Sequence, residues 1–180
     1  MRFFFSVLLA GALLGTGFTH AQIKKDVSEV TGIKRLESKS MRSLYDKQYA
    51  GSHASFRAEY AQDPDEGASW ALMFYGFTKD TTQVSRTNQF LVKADGKQLE
   101  PIRLESKTRS VSNSLLEVKR AVFTRSGFEQ IATAQNVEIS IGKSQFMAVR
   151  PRRQDMRLIL DRVPAQKGPQ TASNDSSDSK

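Results

Sequence analysis

From Ala54 the chain alternates, with Ala54, Phe56, Ala58 and Tyr60 set against Ser55, Arg57 and Glu59. A period of two is that of a strand with one buried face. Gln62 to Gly67 is rich in turn formers and reads as the loop of a hairpin. Trp70 to Phe77 is almost wholly apolar, which predicts a central strand covered on both faces. Gly76 within that run predicts a bulge or a close backbone approach. After a polar connection over Lys79 to Arg86, Phe90, Val92 and Ala94 alternate with Gln89 and Lys93 and lead to Asp95-Gly96, a strong hairpin signal. The returning strand carries Leu99, Ile102 and Leu104. Pro101 shifts its alternation by one residue and removes a ladder donor, which predicts an edge strand or a bulge. Further on, Leu116, Val118 and Val122 mark one face of a strand with Arg120 as the exception, and Leu115, Ala121 and Phe123 mark the other.

The period then changes. Ser126 with Glu129 three residues later forms a capping-box pattern, with Phe128, Ile131 and Ala132 on one helical face and Asn136 placed to close the helix. Val137, Ile139 and Ile141 return to strand alternation, and Gly142-Lys143 turns the chain into Ser144 to Val149. Pro151 suits a first helical turn, Met156, Ile159, Leu160 and Val163 fall at i, i+3, i+4 and i+7, and Pro164 stops the helix. Ahead of all this, residues 22–50 are basic. Val27, Val30, Ile33 and Leu36 recur every three residues, but Gly32 and the β-branched side chains argue against a helix, and Val30, Gly32, Lys34 and Leu36 fit one face of an edge strand. The pattern predicts an α+β domain: a curved, mostly antiparallel β-sheet with two helices from the C-terminal half packed against it.

The two ends read differently. Residues 1–21 have a basic start at Arg2, an apolar stretch from Phe3 to Leu14, and Thr19-His20-Ala21 with small residues three and one positions before Gln22. These are the parts of a cleavable secretory signal peptide, too short an apolar run for a membrane anchor, and they place the mature start at Gln22. The expected organisation is a leader over 1–21, a basic segment over 22–50, a β-rich α+β domain over 51–164, and a polar tail over 165–180 that lacks the apolar residues needed to fold. The chain has no cysteine. Exported eukaryotic domains of this size usually lean on disulfides, so a bacterial periplasmic or secreted protein is expected. Of the net charge of +8, Arg2 supplies one, and the basic surface that remains attracts anionic partners.

Candidate chemistry is sparse. Loss of a leader containing His20 leaves His53 as the one histidine, with no Gly-x-Ser-x-Gly elbow to present a serine. No zinc or thiol site is expected without cysteine, and nothing points to a cofactor. Gly142-Lys143-Ser144 resembles the end of a phosphate loop, but Val137 stands where its first glycine belongs and a strand, not a helix, follows. Asp63, Asp65 and Glu66 lack the further acid of a calcium loop. The best candidate is basic: Arg150, Arg152, Arg153 and Arg157 gather at the start of the last helix, where dipole and free N–H groups favour an anion. No aromatic residues interleave with them, which argues against nucleic acid. The expectation is an exported, non-enzymatic binding or scaffolding domain of the bacterial envelope that meets an anionic envelope component or another envelope protein. Its alternatives are an exported hydrolase with a cleft hidden from the sequence, and a structural subunit of an envelope assembly.

Overall fold

A computed structural model describes residues 23–39, 41–42, 46–47, 49–51, 53–148 and 153–163. Residues 1–22, Pro151, Pro164 and the rest of the C-terminal stretch to Lys180 lie outside them. Elements follow in chain order. β1 (Ile23–Val27), β2 (Lys34–Ser38), β3 (Met41–Arg42) and β4 (Asp46–Lys47) precede the long hairpin of β5 (His53–Asp63) and β6 (Gly67–Thr78). Next come α1 (Gln83–Arg86), β7 (Phe90–Ala94), β8 (Lys97–Leu99), β9 (Arg103–Val111) and β10 (Ser114–Phe123). The chain continues through α2 (Arg125–Thr133), β11 (Val137–Ile141), β12 (Ser144–Met147) and α3 (Gln154–Arg162).

The fold is α+β with antiparallel strands, and the strands divide between two open sheets. The larger runs β1-β2-β5-β6-β10-β9, with β3 also pairing β5; the smaller runs β4-β12-β11-β7-β8. Pro101 marks the passage between them. β8 ends at Leu99 as an edge of the small sheet, and the chain resumes at Arg103 as an edge of the large one, so the expected single returning strand is two. Residues read as one edge strand near the N-terminus form the β1–β2 hairpin, with Val30 and Gly32 (φ +68°) in its turn. The polar connection after β6 contains α1, whose first turn is capped by the Thr82 hydroxyl accepting from Val84 N–H.

The core lies between the sheets. Phe56 and Phe74 of the large sheet meet Phe146 of the small one with ring centroids 5.4 to 5.5 Å apart. α2 and α3 extend this layer through Phe128, Ile131, Met156 and Ile159, all fully buried. α2 starts two residues earlier than the Ser126–Glu129 pattern implies: Thr124 is its N-cap and accepts from Gly127 N–H at 3.0 Å. Its last turn is held by an arginine, not by Asn136, whose N–H instead donates to Asp95 at 2.8 Å. Asp95 also accepts from Gln135 N–H, and these two amides lower its carboxyl below the ordinary value. Among the described residues no helix is long and apolar enough to cross a membrane.

Gly76 is a close approach without a bulge. It pairs in register with Ala54 and Glu117, and a Cβ there would stand 2.0 Å from the Tyr49 hydroxyl and 2.9 Å from the Phe74 ring. Tyr49 crosses this gap to donate to Glu117. Gly76→Ala is therefore expected to destabilise the protein by about 2 kcal/mol through overpacking, with partial rescue by Tyr49→Phe, both read from urea unfolding.

Candidate binding trough on the large sheet

In β10 the face that turns inward is the one carrying Glu117 and Lys119. Leu115, Glu117, Lys119, Ala121 and Phe123 point to the core, and Leu116, Val118, Arg120 and Val122 to the outer face. Two ionisable side chains are thus placed inside. Glu117 is 0% exposed and accepts from Thr82 N–H at 2.8 Å and from the Thr82 hydroxyl, holding the start of α1. Lys119 donates to the Thr87 carbonyl at 2.6 Å and the Ser106 hydroxyl at 2.7 Å. Burial pushes its ammonium below the ordinary lysine value, and Glu117 only partly opposes this. Together they pin the connection between the two sheets.

The outer face carries an open trough of about 670 Å³. β6 is central in the ladder, but among the described residues no second layer covers this face of it, contrary to what its apolar run implies. Among the described residues the trough is lined by the cations Arg35, Arg103, Lys107 and Arg120 and by the carboxylates Glu37, Glu59, Asp63, Glu66 and Glu105. Register creates the cluster, because Arg120 pairs directly with Glu105 of β9 and with Met73 of β6. The Arg120 guanidinium donates to Glu59 at 2.8 Å, to Ser69 at 2.9 Å and to Glu105 at 3.2 Å. Glu59 is 4% exposed and also faces Arg35 at 4.0 Å. Arg103 joins Glu66 at 2.7 Å and Glu105 at 3.1 Å. Arg57 reaches Glu37 at 3.8 Å and lies over the Tyr75 ring. Asp63 accepts from the amides of Asp65 and Glu66 in its own turn, which lowers its carboxyl below the ordinary range. Every trough carboxylate is thereby engaged.

Compared with known families, curated proteins and solved structures, the chain matches none.

The arginine cluster of the last helix divides. Arg150 and Arg152 lie outside the described residues. Arg153 is 1% exposed, and its guanidinium donates to the carbonyls of Ile131, Ala134, Gln135 and Ala148 at 2.7 to 3.0 Å. Arg157 donates to Ala132 at 3.0 Å. These two guanidiniums are directed at the closing turn of α2, where unsatisfied carbonyls and the dipole favour cations. α2 returns the favour: Arg125 stacks over Trp70 at 4.9 Å and donates to the Val163 carbonyl at the end of α3. His53 is exposed on the outer face opposite Phe77. Gly142 (φ +59°) sits in the tight β11–β12 turn. No group of three or more metal-binding side chains gathers among the described residues.

The alternation sets Glu59 on the polar face of its strand, while Arg120 reads only as an exception among the apolar Leu116, Val118 and Val122. It does not reveal that β5 and β10 flank the same strand, and that is what joins them. Arg120→Met is expected to cost about 3 kcal/mol by leaving Glu59 nearly buried without its main partner, while Glu59→Leu combined with Arg120→Met recovers most of the loss; chemical denaturation of the double-mutant cycle measures it. For Lys119, the unfolded chain binds more protons than the folded one between the lowered value and the ordinary one. Stability therefore rises with pH across that alkaline interval, and Lys119→Met should flatten the rise in unfolding curves recorded over it.

Proposed function

We propose that this protein is an exported, non-enzymatic binding domain of the bacterial envelope whose contact surface is the trough on the outer face of the large sheet. The observation that carries this reading is the engagement of every trough carboxylate. Glu59 and Glu105 are held by Arg120, Glu66 by Arg103, Glu37 by Arg57, and Asp63 by its own turn. A general acid or base must be free to exchange a proton with substrate, whereas a rigid surface of paired charges suits recognition by complementary charge. The near balance of sign in the trough, five carboxylates against four cations, contrasts with a chain of net charge +8 and favours a polypeptide partner of mixed charge. The leader-like N-terminus and the absence of cysteine support export into a bacterial envelope.

The cluster at α3 is the weaker surface for such a role, because Arg153 and Arg157 already serve α2. Crosslinking and pull-down of the tagged protein from its own envelope tests the reading. Retention of a specific partner is expected, with loss of that partner when Glu66 and Arg103, exposed at the rim of the trough, are exchanged to Lys and Glu. Capture that survives this exchange but is lost on replacing Arg150 and Arg152 would move the contact surface to the helix.

A further inference from the structure

β9 is an edge of the large sheet nine residues long, and no described segment pairs with its far side. The two-residue turn between Val111 and Ser114 fixes which groups remain free. It makes Val111–Ser114 a hydrogen-bonded pair, and the pairs then alternate along the ladder,. Arg109, Lys107, Glu105 and Arg103 thus direct their N–H and C=O groups at β10. Leu104, Ser106, Thr108 and Ser110 direct theirs outward, a run of unpaired donors and acceptors with no proline within it. Edges of this kind are ordinarily blunted by charge, and β9 is charged on its outer face. That charge is patterned rather than uniform.

We infer that two copies of this chain pair β9 against β9 in antiparallel register about Lys107, joining their large sheets into one. In this register Leu104 meets the partner's Ser110 and Ser106 meets the partner's Thr108, so all four outward-facing residues of each strand find hydrogen-bonding counterparts. Glu105 then stands opposite the partner's Arg109, twice by symmetry, at a non-hydrogen-bonded pair where side chains approach most closely. Lys107 meets the partner's Lys107 on the axis, and the Glu105 carboxylates of both copies flank that pair. Shifting the register to centre on Ser106 sets Arg103 against the partner's Arg109, a repulsion the first register avoids. Isologous pairing of this sort closes as a dimer.

The dimer has a consequence for the trough. Glu105 lines it, so the partner's Arg109 adds a cation to each trough wall, and two troughs meet across the seam. An extended ligand then engages both copies, with the gain in avidity that linked sites provide.

Sedimentation equilibrium of the protein expressed from its full sequence, over nanomolar to high micromolar concentration, tests this. A monomer–dimer equilibrium is expected. Thr108→Pro removes an outward N–H while leaving the β10 ladder intact, and Arg109→Glu sets like charges opposite Glu105; each should weaken dimerisation at least about tenfold. Circular dichroism establishes that both variants fold, and Arg109→Glu decides alone should Thr108→Pro not fold. A monomer at every concentration, or a dimer indifferent to the folded variants, overturns the inference.

Discussion

One guanidinium ties together four strands of the large sheet. Arg120 on β10 bonds Glu59 of β5, Ser69 of β6 and Glu105 of β9, and through Glu59 and Glu105 it reaches Arg35 and Arg103. A sheet face that no described element covers must be satisfied by water or by its own side chains. Here the polar side chains of neighbouring strands satisfy one another, and the face becomes a charged trough instead of a plain solvated surface. At its centre Glu59 and Arg120 are costly to remove singly, because each leaves the other nearly buried without its partner,.

The opposite face depends on different chemistry. Apolar residues from both sheets and both long helices fill the core, while Glu117 and Lys119 of β10 reach into it to hold the connection over Thr82 to Thr87. Reciprocal arginines join the helices, Arg153 and Arg157 closing α2 and Arg125 closing α3. Asp155 accepts from the Lys39 amide at 3.1 Å and so fastens α3 to the break between β2 and β3; burial raises its carboxyl above the ordinary value. Charged side chains meeting backbone groups thus add to the apolar packing that fixes the small helical layer.

Much of this architecture is legible in local pattern. The alternation at Ala54–Tyr60, the Asp95-Gly96 turn and the stripe from Met156 to Val163 each report a short-range constraint, and each corresponds to an element of the fold. Facing is less legible. β10 alternates equally well with either face inward, and the solution that buries Glu117 and Lys119 is set by distant Thr82, Thr87 and Ser106, which supply their partners. The arginines near α3 read as an anion site because the open carbonyls of α2 lie about twenty residues away in sequence. The trough is the extreme case: its charges come from four strands and a turn, and only register assembles them.

In the proposed function, contact falls on the outer face of the large sheet and the helical side holds the fold. Carboxyl footprinting read by mass spectrometry, with and without the captured envelope partner, separates these surfaces directly. Glu66 and Glu105, whose side chains are 63% and 39% exposed, are predicted to lose labelling when the partner binds, while Asp161 on α3 keeps it. Loss of labelling at Asp161 with Glu66 and Glu105 unchanged would contradict the account.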